Sequence, residues 1–486
     1  MTVKELEPSL IFGIFDQITK VPRPSKKEGK IREFLINFAK EHGIEYKTDA
    51  IGNVAMFKPA TPGYENVPGI VLQGHMDMVC EKDSGVEHDF DNDPIDTYVD
   101  GEWVKARGTT LGADNGIGVA AALSVMVSDD LIHGPVQALV TVDEETGLTG
   151  ANNLGEGMIT GQYLLNLDSE EDGEITLGCA GGIDTTCEFT YTPEPAPTDL
   201  VYAKIVLTKL QGGHSGTDIN AERGCATKLL ARFLYGANKK VNLKLAAIDG
   251  GNLRNAIARE AYAIVGVKPE DKEALRVELN QFIAEVENEY KVTEKDMEIY
   301  METVETPATV VDDKTAVAVV NSMYSAPHGV ISMSKDIEGL VETSTNLSSV
   351  KMPTANTILV TTSQRSSVES RKFDIARQVE ALFSLAGAKV THGDGYPGWA
   401  PNMESAILKA ASTTYEELFG AKPIANAIHA GLECGLFLIN YPHMDMISFG
   451  PTLRNVHSPR EAMHIPAVQK FWLYLTKILE KVAKGE

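Results

Sequence analysis

Apolar and polar residues are distributed along the chain in patterns that predict alternating helices and strands. Apolar residues at helical spacing predict helices over residues 9–22 and 30–42. A third, almost wholly apolar helix is predicted over 117–127. Buried strands are predicted for the apolar runs at 70–72, 136–142 and 163–167. Strands that alternate with helices in this way form a parallel sheet covered by helices, the α/β class.

The pattern changes in the middle of the chain. Residues 192–199 contain three prolines, a composition typical of a connection between domains. Elements then follow in the order β-α-β-β-α, and part of that order recurs over 314–385, through an internal duplication or by chance. The closing segment again alternates helix and strand. We therefore expect a mostly parallel-sheet α/β domain made of residues 1–185 and 388–486, and an inserted α+β domain, residues 186–387.

Composition and charge narrow the class of protein. The 486 residues are 43% hydrophobic and 23% charged, as expected for a globular enzyme of two or three domains. The net charge of −24 disfavours nucleic acid as a partner, because no basic surface balances it. The absence of a long apolar run and of a signal-peptide core predicts a cytoplasmic protein without a membrane partner. Five scattered cysteines without a CxxC pair fit a reducing compartment and argue against a thiolate zinc site.

Candidate chemistry lies where the predicted strands end. His75 and Asp77 follow the first strand, Glu144 and Glu145 follow the second, and Asp168 follows the third. Ligands collect at the carboxyl ends of strands in open α/β sheets. Residues i and i+2 of an extended segment face the same side, so His75 can bind a metal ion while Asp77 orients its imidazole. Adjacent carboxylates after a buried strand are costly unless they are solvated, paired or bound to metal.

Two further candidates lie in loops. Asp114 stands between glycines before a helix, where it is either a helix N-cap or a residue close to something bound. His457 lies in a loop near the C-terminus. With His75, Asp168 and one glutamate of the 144/145 pair they give two imidazoles and three carboxylates, a set that suits zinc, manganese or cobalt. Five ligands fit two ions about 3.5–4 Å apart that share one carboxylate, for which Asp114 is the candidate. One glutamate of the 144/145 pair is then left for proton transfer, and spacing does not say which one.

The motifs taken together resemble those of the M20-type metallopeptidases, a family that includes carboxypeptidase G2-like enzymes, tripeptidase T and carnosinase. The resemblance covers essentially the whole chain, with the motifs in the family's order, and is strongest to bacterial dipeptidases that cleave aminoacyl-histidine. The matching segments are GHMDMV, LGADNGIGVA, DEETGLTGA, NLDSEEDGE, GGHSG, HAGLECG and GP…HSPRE.

The resemblance implies a role for each matched residue of the first domain. It implies two divalent ions, zinc in the first place, with cobalt or manganese as alternatives. Asp77 is expected to orient a histidine ligand, and Glu144 to act as general base and acid. A cis peptide bond is expected between Asp114 and Asn115. The implied ligands are His75 and Asp168 for one ion, Glu145 and His457 for the other, and Asp114 as the bridge.

In this family the inserted domain is a lid over the substrate. The resemblance implies that His214 stabilises the oxyanion, that Asn255 and Arg365 hold the C-terminal end of the substrate, and that Gly431 lines the substrate wall. In other members of the family the lid of a partner subunit contributes residues to the active site, and this lid is long enough to do so within one chain. Whether the protein is a homodimer, and whether His214 acts in its own subunit, therefore both stay open. Three nearby residues can be read as substrate contacts or as structural residues: His429, Glu433 and Arg460.

We therefore expect a metal-dependent dipeptidase that hydrolyses unblocked dipeptides, including Xaa-His peptides such as carnosine. A metal-bridging water, activated by Glu144, would attack the peptide carbonyl. Two alternatives remain at this point. A related deacylase of N-acyl amino acids shares the metal ligands and differs in the lid and substrate loops. A non-catalytic, metal-dependent binding protein could keep the same fold.

Overall fold

The apolar runs predicted to be buried strands lie in the first of two structural units. The computed structural model describes residues 2–486. The first unit comprises the chain up to Cys179, Trp399–Ala427 and Leu432–Glu486. Its elements before Cys179 are α1 (Ser9–Thr19), α2 (Gly29–Glu41), β1 (Glu45–Thr48), β2 (Val54–Lys58), β3 (Ile70–His75), β4 (Thr97–Asp100), β5 (Trp103–Ala106), α3 (Ala113–Val127), β6 (Val136–Thr141), α4 (Glu144–Gly147), α5 (Thr149–Asn152), β7 (Tyr163–Asn166) and β8 (Glu174–Cys179).

The second unit comprises Ala180–Gly398 and Ile428–Gly431. Its elements are β9 (Gly181–Thr190), β10 (Pro193–Pro195), β11 (Val201–Thr208), β12 (Gly213–His214), α6 (Ala226–Ala237), β13 (Lys244–Gly250), β14 (Ala256–Ile257), β15 (Ala261–Val267), α7 (Lys272–Tyr290), β16 (Glu298–Val304), β17 (Thr309–Val311), α8 (Asp313–Ser325), β18 (Gly329–Met333), β19 (Val341–Thr354), β20 (Thr357–Ser366), α9 (Glu369–Leu385) and β21 (Lys389–His392).

The closing segment returns to the first unit. None of the helices formed by residues 2–486 has both the length and the apolar character needed to cross a bilayer. The closing elements are α10 (Ala406–Phe419), β22 (Ile424–Ile428), α11 (Glu433–Asn440), β23 (Asp445–Ser448), β24 (Leu453–Arg454), β25 (Ala462–His464) and α12 (Ile465–Lys484).

The main sheet of the first unit is parallel at its centre and antiparallel on its flanks. Its strand order is β1-β2-β6-β3-β7-β23-β8-β22. Strand β3 pairs in parallel with β6 and β7, and β7 pairs in parallel with β23. Strands β1 and β2 on one flank, and β8 on the other, pair antiparallel. Every residue of β3 and β6 is buried, as expected for strands covered on both faces. The prediction of a mostly parallel sheet therefore describes the centre, and the sheet as a whole is mixed.

The main sheet of the second unit repeats one topology. Leaving aside the shorter strands β12, β14 and β18, the sets β11-α6-β13-β15-α7-β16 and β9-α8-β19-β20-α9-β21 have the same order of elements, with the first set lying in the chain between β9 and α8 of the second. The strands of each set are numbered 1 to 4 along the chain. Read from the outer edge of the sheet to its middle, both sets then have the order 4-1-3-2. The two sets meet where β13 pairs with β19. This shared order supports the internal duplication, which stays a prediction.

The predicted boundaries at 185/186 and 387/388 fall inside this second sheet. Strand β9 pairs with β20 along its whole length, and β21 pairs with the outer side of β9. Residues 180–185 and 388–398 therefore belong to the second unit. The polar Asp184, Thr185 and Thr186 break up the apolar pattern of β9, which explains why the strand was not predicted.

Gly74 lets the Asp114 loop pack against the strand that ends in His75. A Cβ atom at residue 74 would lie 2.2 Å from Oδ1 of Asn115. Asn115 is buried, and its Nδ2 donates to the carbonyl oxygen of Leu167 at 2.7 Å. The absence of a side chain at residue 74 therefore fixes how closely the loop approaches β3.

We predict that Gly74→Ala destabilises the protein by about 1–3 kcal/mol, the usual cost of overpacking, because Asn115 has to move. Urea unfolding followed by circular dichroism measures the free energy of unfolding. Gly13→Ala is the matched control, because a Cβ at residue 13 meets nothing within 4 Å and the residue lies inside α1. That control should raise stability by about 0.5–1 kcal/mol. Equal effects of the two changes would contradict the packing argument.

Candidate metal centre

The candidate ligands lie at the carboxyl ends of the parallel strands. Strand β3 ends at His75, Glu144 and Glu145 follow β6, and Asp168 follows β7. Because the three strands are parallel neighbours, these ends meet at one edge of the sheet. His457 comes from the loop between β24 and β25.

Asp114 lies between two imidazoles. Its Oδ1 is 3.1 Å from Nε2 of His75, and its Oδ2 is 3.1 Å from Nε2 of His457. Oδ1 of Asp168 lies 3.3 Å from the same nitrogen of His75, and Oε2 of Glu145 lies 3.1 Å from that of His457. One carboxylate thus faces two separate pairs, each made of a histidine and an acidic residue. The peptide bond between Asp114 and Asn115 is cis, as the resemblance predicts.

This donor set fits divalent cations. His75, Asp114 and Glu145 each offer a ligand atom within 4.8 Å of the other two. Oε1 of Glu145 and Oδ1 of Asp168 are buried and, within residues 2–486, accept no hydrogen bond of good geometry. A buried carboxylate oxygen without a partner is costly, and a bound cation would satisfy it. Imidazole and carboxylate ligands suit zinc, cobalt or manganese.

Without cations, the negative charge of the cluster holds protons on both imidazoles. Hydrogen bonds to Asp114 and Glu145 raise the pKa of His457 to about 11. Burial works to lower the pKa of His75, but Asp168 and Asp114 outweigh it and raise that pKa well above its ordinary value. Burial raises the pKa of Asp168 to about 7. For Asp114 burial acts in the same direction, but the two imidazoles overcome it and lower its pKa.

Asp77 lies behind His75 and also holds the backbone of the glutamate pair. Its Oδ1 is 3.3 Å from Nδ1 of His75. It accepts hydrogen bonds from the backbone N–H of Glu144 at 3.0 Å and of Glu145 at 3.3 Å, and from Oγ of Ser25 at 2.8 Å. Burial works to raise the pKa of Asp77, but His75 and these donors lower it to about 2. One carboxylate therefore lies beside the imidazole of His75 and holds the turn after β6 through backbone hydrogen bonds.

A turn at Asp143 precedes the two glutamates. Its φ of 48° is in the left-handed region, and its carboxylate accepts hydrogen bonds from the hydroxyls of Thr146 and Thr149. Glu145 faces His457. The carboxylate of Glu144 accepts no hydrogen bond from the described part of the chain. Burial raises the pKa of Glu144 well above its ordinary value; His75 opposes this effect and neighbouring carboxylates add to it.

Sequence similarity to known proteins identifies the family of the chain. The chain matches the sequence profile of peptidase family M20/M25/M40 over residues 71–481. It belongs to peptidase family M20/M25/M40. It is 41% identical over 480 residues, 99% of either chain, to the cytosol non-specific dipeptidase of Escherichia coli (strain K12). The predicted family and the predicted hydrolase class are confirmed.

Two solved peptidase structures share the fold of this chain. The aminoacylhistidine dipeptidase of Vibrio alginolyticus superposes with a TM-score of 0.91 and 42% identity, over 99% of this chain and 98% of that chain. A tripeptidase from Staphylococcus aureus superposes with a TM-score of 0.57 and 17% identity, over 99% of both chains, and shares the fold alone. The α/β fold class is confirmed.

The four residues predicted to bind substrate lie near one another in the second unit of this M20/M25/M40 protein. His214 pairs with Ala256 in the β12–β14 ladder, next to Asn255. Nε of Arg365 is 3.4 Å from Oγ of Ser215, and its Nη1 donates to Oη of Tyr396 at 2.7 Å. A Cβ at Gly431 would lie 2.8 Å from the ring of Tyr396. These contacts link His214, Asn255, Arg365 and Gly431 into one cluster.

The tautomer of His214 follows from its surroundings. Its Nδ1 accepts hydrogen bonds from the backbone N–H of Gly216 at 3.2 Å and of Thr217 at 3.1 Å. The neutral ring therefore carries its proton on Nε2, which can donate to an oxygen. Burial, with help from the nearby Arg365, lowers the pKa of His214 and favours this neutral form.

The structure gives His429 and Arg460 local partners. His429 is buried, and its Nε2 lies 2.7 Å from Oγ of Ser344. Burial lowers the pKa of His429 to about 3. Arg460 is exposed, and its Nη1 lies 2.8 Å from Oδ2 of Asp83. Both residues have structural partners of their own.

Glu433 is a fully buried carboxyl group beneath the candidate ligands. It accepts hydrogen bonds from Nε2 of Gln73 at 2.6 Å and from Oγ1 of Thr141 at 2.9 Å. Burial raises its pKa to about 8. Gln73 and Thr141 belong to β3 and β6, so Glu433 joins two central strands just before the residues of the site.

Sequence reasoning missed two buried charged residues, Arg23 and Glu461, which contact the Asp114 loop. Arg23 stands between prolines in Val-Pro-Arg-Pro, and Glu461 closes the matched segment HSPRE. A charged residue in a proline-rich segment near a predicted helix end was the signal available for Arg23. Glu461 already lay inside a recognised motif.

We predict that metal binding releases protons and tightens as pH rises from about 6 to 9. The pKa of His457 is raised to about 11, so this imidazole is protonated at neutral pH without metal, and the pKa of His75 is shifted in the same direction. A ligand nitrogen must lose its proton to bind an ion. Calorimetric titration of zinc in buffers of different ionisation enthalpy counts the released protons. No release at pH 7, or weaker binding at pH 9 than at pH 6, would contradict this electrostatic description.

Proposed function

We propose that this M20/M25/M40 protein is a dipeptidase with two divalent ions, zinc in the first place. The proposed ligands are His75 and Asp168 for one ion, Glu145 and His457 for the other, and Asp114 as the bridge. The proposal is carried by one observation: the two oxygens of Asp114 face two separate pairs of histidine and carboxylate. The dipeptidase relatives support the reaction class.

Glu144 is proposed as the general base and acid. Its carboxylate is free of hydrogen bonds within residues 2–486, so it can take a proton from the attacking water and give it to the leaving amine. Two bound divalent ions supply Lewis-acid polarisation and a more acidic water at this site. Asp77 holds the Nδ1 proton of His75, which leaves Nε2 as the ligand atom.

The cluster of the second unit is proposed to bind the substrate. The planar guanidinium of Arg365 suits a bidentate contact with the terminal carboxylate of a dipeptide, and Asn255 adds a polar contact. The Nε2 proton of His214 suits the oxygen that becomes negative as the peptide carbonyl is attacked. Gly431 is proposed to line the substrate wall, where its lack of a side chain lets the ring of Tyr396 pack against it.

The cellular setting is part of the same proposal. All five cysteines are free thiols, as expected for a cytoplasmic enzyme. The homodimer, and whether His214 acts in its own chain, stay predictions. Analytical ultracentrifugation tests the first, and mixed dimers of His214→Ala and Glu144→Gln chains test the second.

The decisive experiment combines metal analysis with a substrate panel. Purified protein should bind two divalent ions per chain and hydrolyse unblocked dipeptides such as β-alanyl-histidine and glycyl-glycine. Faster hydrolysis of N-acyl amino acids would make it a deacylase instead. Metal binding without any hydrolysis would make it a binding protein.

We predict that Glu144→Gln keeps both ions and lowers kcat by about 10²–10⁴-fold, because proton transfer is lost while the ligands remain. Glu145→Gln is the comparison, since it removes a proposed ligand next door and should lower the metal content. Mass spectrometry of bound metal and steady-state kinetics measure the two effects. Near-normal turnover by Glu144→Gln would disprove its role.

We predict that Arg365→Met raises KM for a dipeptide by about 10–100-fold, the usual loss for a hydrogen bond to a charged group. The KM for the same dipeptide with an amidated C-terminus should hardly change, because the carboxylate is absent. Arg371→Met is the control, since Arg371 forms an exposed ion pair with Glu342 at 2.9 Å. An equal loss for both substrates would show that Arg365 does not read the carboxylate.

A further inference from the structure

Two buried charged side chains hold the Asp114 loop from opposite sides. Glu461 and Arg23 are only 3% and 2% exposed. Burying a charge is costly unless it is paired and hydrogen-bonded, so both residues need a structural reason. Neither is among the proposed metal ligands.

Glu461 binds the N–H groups of the loop. Its Oε2 accepts from Leu111 at 2.7 Å and from Gly112 at 3.0 Å. Its Oε1 accepts from Ala113 at 2.7 Å and from Asp114 at 3.3 Å. One carboxylate thus collects four consecutive backbone donors, the last of which belongs to Asp114 itself. Charge-assisted hydrogen bonds of this kind are stronger than those between neutral groups.

Arg23 binds the carbonyl side of the same loop. Its Nη2 donates to the carbonyl oxygen of Gly112, and its Nη1 donates to those of Met76 at 3.1 Å and Asp77 at 2.7 Å. Gly112 has φ 70°, and a Cβ there would lie 2.5 Å from Nη2 of Arg23. Arg23 therefore joins the Asp114 loop to the segment that follows His75.

Glu461 also belongs to the loop that carries His457. Both residues lie between β24 and β25, and the N–H of Glu461 donates to the carbonyl oxygen of Ser458 at 3.0 Å. His457 itself has φ 60°, in the left-handed region that non-glycine residues seldom adopt. His457 is half exposed, so little packing holds its side chain. Besides the direct contact of His457 with Asp114, the contact of Glu461 with residues 111–114 ties this loop to the proposed bridge.

We propose that Glu461 is a positioning residue that couples the two metal sites. It fixes Asp114 relative to His457, so that the half of the cluster with His457 and Glu145 assembles on the bridge. The half with His75 and Asp168 is held separately by β3, β7 and Arg23. Loss of Glu461 therefore lowers the affinity for the ion at His457 and Glu145 far more than the affinity for the ion at His75 and Asp168. This inference rests on the proposed dinuclear function.

The test is a titration of Glu461→Gln with Mn²⁺ alone, followed by electron paramagnetic resonance. An amide keeps the size of the side chain but places an NH₂ group against backbone donors. The wild-type protein should bind two ions and give the exchange-coupled signal of a manganese pair. The variant should bind the ion at His75 and Asp168 with normal affinity. It should bind the ion at His457 and Glu145 about 10–100-fold more weakly, the usual cost of losing a residue that orients a ligand. The pair signal should be replaced by that of isolated Mn²⁺.

Two further variants keep the test sharp. Arg460→Gln changes the exposed neighbour of Glu461 in the same loop and should keep the pair signal. Glu461→Asp keeps the charge but shortens the reach to the N–H groups of residues 111–114, and should also lose the ion at His457 and Glu145 preferentially. It replaces Glu461→Gln if circular dichroism shows that the latter does not fold.

The outcomes separate the two hypotheses. A wild-type protein that binds fewer than two ions would overturn the proposed function. A wild-type protein with two ions, together with a folded Glu461→Gln that binds both with unchanged affinity, would overturn only the coupling role. Equal weakening of both ions would also overturn it, because the structure holds the two halves by different contacts.

Discussion

Concentrated negative charge at one edge of a buried sheet is the constraint on which the first unit depends. Asp77, Asp114, Glu145 and Asp168 converge there with little solvent to screen them. Such a cluster is stable only beside positive charge, which protons on two imidazoles supply in the absence of ions. The parallel strands bring the acidic residues together, Gly74 admits the loop of Asp114, and hydrogen bonds hold the carboxylates of Asp77 and Asp114. The arrangement is consistent with a site that exchanges protons for divalent cations.

The sequence predicted the centre of the first sheet because its strands are apolar, and their ends located the candidate ligands. The second unit was harder to predict. Its longest strand, β19, is largely polar and yet mostly buried. Several of its side chains form hydrogen bonds instead of apolar contacts: Nδ2 of Asn346 donates to the carbonyl oxygen of Ala256, and Oγ of Ser348 donates to that of Arg254. A method that looks for apolar alternation does not detect a strand of this kind.

Within the site, the types of residue were predictable from the sequence, but the different positions of neighbouring residues of the same type were not. Glu144 and Glu145 are adjacent and chemically alike, and their spacing does not reveal that Glu145 lies beside His457 while the carboxylate of Glu144 accepts no hydrogen bond from residues 2–486. Glu461 was missed for another reason. Its partners are backbone N–H groups of residues 111–114, which have no side-chain identity for a motif to record. Interactions between a side chain and a distant backbone are therefore the part of the site that spacing reveals least.

The chain order of the strands bears on how the protein is made. In the second sheet β9 pairs with β20, which is synthesised long after it. In the first sheet β23 lies between β7 and β8, which are both synthesised before it. Pairings between such distant segments form slowly, because a long loop has to close first. A nascent chain that ends before β23 has β7 and β8 without the strand that separates them. The acidic edge is therefore complete only after the last segment, with His457 and Glu461, has been synthesised. Until then the strands have unpaired edges, so newly made protein is the form most in need of protection from aggregation.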